Sequence, residues 1–205
     1  MSLSMRLDGL PFALDAFGPD GRWTRADGIL TGRAGPGQDL FVPPSGEALD
    51  PATDAPRLLG AVGDGDFRLL ARVRPGLVAA GDAGALHLHL GDRDWAKLCL
   101  EHSSGLATVC SVVTRGHSDD ANAFVVEEDS YWLRLSRTGN AYAFHASADG
   151  ETWTFVRLFT LGTAEQRASA RAGFLVQSPT GEGCGAVFDR IAFLTGGVED
   201  LRDGR

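Results

Sequence analysis

The sequence predicts an all-β protein, an antiparallel two-sheet sandwich with at most one short helix. Three observations carry this: segments that alternate apolar and polar residues with period two, turn residues bounding each segment, and 27 glycines spread along the chain. A half-buried antiparallel strand turns one face to a core and the other to water, and that alternation is its record in sequence.

The 205 residues, 43% hydrophobic and 22% charged, show no break in composition. They read as one domain over 1–205, with its core over about 7–195 and a polar, frayed tail over 196–205. Residues 1 to about 40 form strands and loops anchored by Trp23, Ile29 and Leu30. From Phe41 to Pro56 the prolines at 43, 44, 51 and 56 exclude a central strand and mark a surface loop.

Regular alternation then begins. Asp66–Arg74 places Phe67, Leu69, Ala71 and Val73 on one face, and Ala85–Leu90 opposes Leu86, Leu88 and Leu90 to His87 and His89. In Trp95–Glu101, Leu98 and Leu100 oppose Trp95, Lys97, Cys99 and Glu101. A turn at Ser103–Gly105 leads into LATVCSVVT, so the hairpin pairs Glu101 with Thr108, Cys99 with Cys110 and Trp95 with Thr114. Strands follow at 131–136, 141–146 and 153–159, with an Asp149-Gly150 turn between the last two. Thr163–Arg171 is the helix candidate, and strands at 172–177 and 186–194 complete the pattern.

Net charge is −8 with a pI near 5.0, and no basic cluster tracks a phosphate backbone or an anionic bilayer. Neither nucleic acid nor a membrane is an expected partner. Residues 1–6 lack the apolar core of a signal peptide and no run is long enough to span a bilayer, so a reducing, cytoplasmic setting is expected. Three cysteines without C-x-x-C spacing disfavour a disulfide framework or a zinc knuckle, and the pairing of Cys99 with Cys110 stays open.

Several motifs resemble a known family. WAKLCLE (95–101) resembles a W-x-K-x-x-x-E strand, and SVVTRGHSDDANAF (111–124) an SVVT-x-G-x-SD loop. Asp149-Gly150, Trp153 and Val156-Arg157 match a DG-x-x-W-x-x-VR hairpin, and a GF-x-x-x-SP strand ends at Ser178-Pro179. Over about 41–193 the chain is thus similar to a concanavalin A-like lectin/glucanase family that includes a fungal regulator of enolase levels and bacterial proteins from sugar-utilisation clusters. The resemblance implies a jelly roll with one concave sheet. Asp120 stands where that family commonly has an aromatic residue, and Asp82-Ala83-Gly84 shortens its D-Q-A-G. Both departures lie beside the implied cleft, so ligand choice can differ from that of relatives.

If the leucines pack inward, the opposite face collects His87, His89, Trp95, Lys97, Glu101, Thr114, Arg134 and Arg157, with a loop from His117 through Ser118 and Asp119 to Asn122 over one end. Sugar hydroxyls need multivalent polar partners such as Arg, Glu and His, while an aromatic ring packs on the C–H face. The same residues also suit an ordinary solvated sheet face with cross-strand ion pairs. His117-Ser118-Asp119 is a polar loop, since triad members come from separate elements. Glu127-Glu128-Asp129 lacks the alternate third carboxylate of a retaining glycosidase strand. His87 and His89 with Glu101 make a poor zinc set, so neither metal nor cofactor is expected, and no residue is assigned a catalytic role. The leading expectation is a carbohydrate-binding module taking an oligosaccharide or sugar acid, with Arg134 and Arg157 holding hydroxyls or a carboxylate. The alternatives are a regulatory protein that docks a metabolic enzyme, and a glycoside hydrolase or lyase centred on Glu101.

Overall fold

The computed structural model describes residues 3–46 and 54–205, so Asp50 and Pro51 of the predicted loop lie outside the described residues. One sheet has eight strands in the order β1 (Ser4–Arg6), β2 (Ala13–Phe17), β5 (Arg57–Ala61), β14 (Arg171–Gln177), β7 (Ala83–Gly91), β8 (Asp94–Ser103), β9 (Leu106–Arg115) and β10 (His117–Val125). The other has seven: β13 (Thr154–Thr160), β12 (Ala141–Ser147), β11 (Tyr131–Thr138), β6 (Phe67–Pro75), β15 (Cys184–Thr195), β4 (Ile29–Ala34) and β3 (Arg22–Ala26). All pairings are antiparallel, which makes this a two-sheet jelly-roll sandwich.

The inward parity of each strand builds the core. Leu86 and Leu88, Leu98 and Leu100, Val109 and Val113, Phe174 and Val176 meet Phe67, Leu69, Leu133, Leu135, Phe144 and Phe188 from the opposite sheet. Each such side chain contributes about 1.5–3 kcal/mol on burial. Trp23 and Leu30 join this core, whereas Ile29 faces outward and is 41% exposed. Ser104 and Gly105, both at positive φ, form a two-residue hairpin turn of the kind that matches strand twist. That turn fixes the register Glu101↔Thr108, Cys99↔Cys110 and Trp95↔Thr114. The helix is shorter than the sequence suggests. It spans Ala164–Ala168, is capped by Thr163 and Gln166, and ends because Arg171 already pairs in β14.

Two segments depart from expectation. The predicted loop over 117–122 is strand β10, paired with β9 from His117↔Arg115 to Val125↔Thr108. It reads as loop because it is an edge strand, whose charged residues block pairing with another chain instead of marking a face. The C-terminal segment is not a free tail. It lies on the outer face of the seven-stranded sheet, where the Gly204 carbonyl accepts from Arg134 Nη2 at 2.7 Å and the Leu201 carbonyl from His145 Nε2 at 3.0 Å. Val198 is buried there, and Gly196 N–H donates to the Asp66 carbonyl. Deleting residues 197–205 is expected to cost about 2–3 kcal/mol through lost burial and hydrogen bonds, read as a lower thermal midpoint. An unchanged midpoint would show that the segment contributes nothing.

Candidate functional site

The strand registers set out the outer face of the eight-stranded sheet as four rows of side chains. The first runs Arg171, His89, Trp95, Thr114, Ser118; the second Gly173, His87, Lys97, Val112, Asp120. The third runs Leu175, Ala85, Cys99, Cys110, Asn122, and the fourth Gln177, Ala83, Glu101, Thr108. An irregular segment crosses these rows. Gln38 bridges to Ser178 at one side, and at the other the Val42 carbonyl accepts from Ser118 N–H at 2.8 Å while Val42 N–H donates to the Ser118 hydroxyl at 2.9 Å. Leu40 and Val42 pack on Trp95 and Val112, so this part of the face is roofed.

Lys97 lies under the roof and is 2% exposed. Its ammonium donates to Gln177 Oε1 at 2.6 Å and to the Leu40 carbonyl at 2.8 Å, with Asp39 Oδ1 at 3.5 Å. Burial opposes its charge, but Asp39 and the Cys99, Glu101 and Cys110 groups outweigh that and raise its pKa.

Beside Lys97, on β7, lies a cluster of buried polar side chains. The fully buried His87 ring, cross-strand neighbour of Lys97, sits 5.8 Å from the Trp95 ring and 6.0 Å from the His89 ring, and on its other side Gly173 carries no side chain because the Leu58 carbonyl closes in there. Burial first, then Arg57, His89 and Lys97, hold His87 well below the ordinary histidine range, and burial with Arg57 lowers His89. Arg57 is braced by Asp54 at 3.0 Å. Both His87 ring nitrogens, His89 Nδ1, Arg57 Nε and Trp95 Nε1 are buried without a hydrogen-bond partner among the described residues.

At the fourth row, burial raises the Glu101 carboxyl pKa, with Lys97 opposing and Asp120 reinforcing. Gln177 Nε2 donates to Glu101 at 3.4 Å and to the Gly81 carbonyl at 2.9 Å. The Cys99 and Cys110 thiols are both free and buried, and the first pushes the second well up.

The fold therefore brings His87, His89, Trp95, Lys97, Glu101 and Thr114 onto one face. Ser118 joins them, but its hydroxyl is committed to Val42 and, at 2.8 Å, to Thr114. Four expected residues fall elsewhere. Arg134 is on the outer face of the other sheet, stacked 4.2 Å from the Trp153 ring centroid beneath the C-terminal segment. Arg157 on β13 pairs with Asp119 at 2.9 Å and ties the two sheet edges together. Asp119 and the exposed His117 share the opposite pleat parity to Ser118, so they turn away from the rows. The sequence reading missed Arg57, Gln177 and Asp39. Parity along β14 places Gln177 with Arg171 outside, a signal open to discovery, whereas Asp39 sits in a segment without periodicity.

The chain matches the family described as "Protein of unknown function (DUF1349)" over residues 18–195. It is 28% identical over 113 residues to "Regulation of enolase protein 1" of Saccharomyces cerevisiae, a match covering 55% of this chain and 57% of that protein. A solved structure of a functionally unknown S. cerevisiae protein superposes with a TM-score of 0.79 at 20% identity, covering 89% of this chain and 96% of that one. The GH43B protein of a Bacteroides ovatus xyloglucan locus superposes at 0.68 and 14% identity, covering 91% of this chain but 37% of that one. The last two likenesses concern the fold. The match to the family over nearly the whole sandwich shows that this chain belongs to the DUF1349 family.

Proposed function

We propose that this protein is a carbohydrate-binding, module-like protein, and that the outer face of the eight-stranded sheet takes an oligosaccharide or a sugar acid. The observation that carries this is the convergence of buried polar atoms without partners on His87, His89, Arg57 and Trp95. A buried polar group left unpaired costs about 1–3 kcal/mol, and several in one place are retained where a polar ligand answers them. Two neutral imidazoles offer both a donor and an acceptor, Arg57 offers a charged donor for a hydroxyl or carboxylate, and Trp95 offers an N–H beside an apolar wall. Arg57 takes the role that the sequence reading gave to Arg134 and Arg157. The fold likeness to a protein of a xyloglucan locus is compatible with a saccharide ligand.

A thermal-shift screen against mono- and oligosaccharides, uronic acids included, tests this. A ligand at about a hundred times its dissociation constant adds about 2.7 kcal/mol, a rise of about 5–10 °C for a domain of this size. The shift should vanish in Arg57→Met and His87→Leu and persist in Arg134→Ala, whose side chain is on the other sheet. A shift lost in Arg134→Ala alone would move the site to that sheet.

A second reading, a regulatory protein that docks a metabolic enzyme, is favoured by the name of the yeast relative. Retention of enolase by the immobilised chain, with no shift from any sugar, would select it. Three free buried cysteines suit a reducing, cytoplasmic compartment under either reading. No helix among the described residues is long and apolar enough to cross a membrane.

A further inference from the structure

We infer that Cys99, Glu101 and Cys110 form a binding site for a thiophilic divalent cation of the zinc class. The two sulfurs and a Glu101 carboxylate oxygen lie within 4.8 Å of one another. Tetrahedral coordination at zinc–sulfur distances of about 2.3 Å separates ligands by about 3.8 Å, so the set needs to contract by about 1 Å at most. The backbone supplies the convergence. Cys99 and Cys110 are direct cross-strand partners, and Glu101 follows Cys99 on the same pleat face of β8, so no loop has to close. Hairpin-borne ligands of this kind are held by the sheet before the ion arrives.

The chemistry around the three groups points the same way. Glu101 makes no ion pair among the described residues; Gln177 Nε2 donates to it at a long 3.4 Å, and the Cys110 thiol also acts on it as a donor. The nearby cation, Lys97, spends its ammonium on Gln177, the Leu40 carbonyl and Asp39 instead. Lys97 thus acts on this carboxylate and on Cys110 only from a distance, and no cation is bonded to the three groups, a place that a divalent ion fills. Two thiolates select zinc-like ions over magnesium or calcium, which take oxygen donors. Binding displaces the thiol protons to solvent and leaves one position of a tetrahedron for water or a ligand atom. Glu101 is half-buried and Asn122, at the end of the row, exposed, which gives the ion a way in. Leu40 and Ala55 cover the inner side of the two thiols. This site does not rest on sugar binding, because it uses none of the side chains proposed to meet the sugar, although His87 stands in the adjacent row.

The test is a cobalt titration of the reduced, metal-stripped full chain. One equivalent of Co2+ should produce a thiolate-to-cobalt charge-transfer band, and one equivalent of Zn2+ should bleach it. The double variant Cys99→Ala/Cys110→Ala should lose the band, Glu101→Gln should weaken binding about tenfold or more, and Cys184→Ala should behave as the parent. Absence of the band in the parent chain, or its survival in the double variant, overturns the site. Should the double variant fail to fold, the 113Cd resonance of the cadmium-loaded parent chain decides instead. A shift in the mixed sulfur–oxygen range supports the site, and one in the oxygen-only range overturns it. No saccharide enters either experiment, so a failed sugar screen leaves this result intact, and the reverse also holds.

Discussion

Lowering the pH from about 6.5 to about 4 is expected to destabilise this protein by several kcal/mol, because it buries neutral histidines on both outer faces. His145 is lowered from 6.5 to about 4, first by burial and then by Arg134, with the bond to the Leu201 carbonyl opposing. His87 and His89 are also lowered, burial being the largest cause. In each case the unfolded chain takes up a proton at a pH where the folded chain does not. The stabilisation is therefore full above the unfolded value of 6.5 and is lost as the pH falls through the folded value. His145 alone accounts for about 2 kcal/mol once screening is allowed for. Glu101, held above its ordinary value, acts in the opposite sense, since its contribution is full below 4.5 and lost as pH rises. It offsets part of the histidine effect. Urea denaturation at pH 7 and pH 4.5 measures the difference. His145→Gln, which keeps a donor for the Leu201 carbonyl, should flatten the dependence by its share. Equal acid sensitivity in the parent and this variant would remove His145 from the explanation.

Lys97→Ala should cost about 3–5 kcal/mol, the amount typical of removing one partner from a buried charged network. The change strands Gln177 Oε1 and the Leu40 carbonyl and leaves Asp39 without its cation, beneath a roof that these bonds hold down. Lys97→Met, which refills the volume, should cost less. Lys97→Met with Asp39→Asn should recover part of the loss, because it also removes the uncompensated carboxylate. Equilibrium denaturation of the three variants at pH 7 gives these differences. A loss below about 1 kcal/mol in Lys97→Ala would put this network among weak surface pairs. The same variant should loosen the segment from Gln38 to Val42, seen as faster amide exchange at Val42 and Ser118, which bond each other across the edge of the face.

Local pattern determined a good deal. Period two in the strands that become β6, β7, β8 and β9 assigned the inward leucines and valines and the outward His87, His89, Trp95, Lys97 and Glu101. A Ser-Gly turn, whose positive φ angles suit a tight hairpin, then fixed which residues of β8 and β9 stand opposite each other. Side-chain alternation and turn geometry act over a few residues, and so they are written in the sequence.

Tertiary structure decided the rest. Arg134 has the outward parity of His87, but a sandwich has two outward faces, and parity does not say which sheet a strand joins. That choice is made by pairing between strands distant in sequence, such as β6 with β11 and β15, where loop closure and core packing outweigh local preference. The roof at 38–42, the ion pair of Asp119 with Arg157 and the C-terminal segment over His145 are set the same way, by long-range contacts of stretches without periodicity. The strands of the candidate site were legible because each is a local pattern. What covers it, and which arginines share its face, depended on how the two sheets came together.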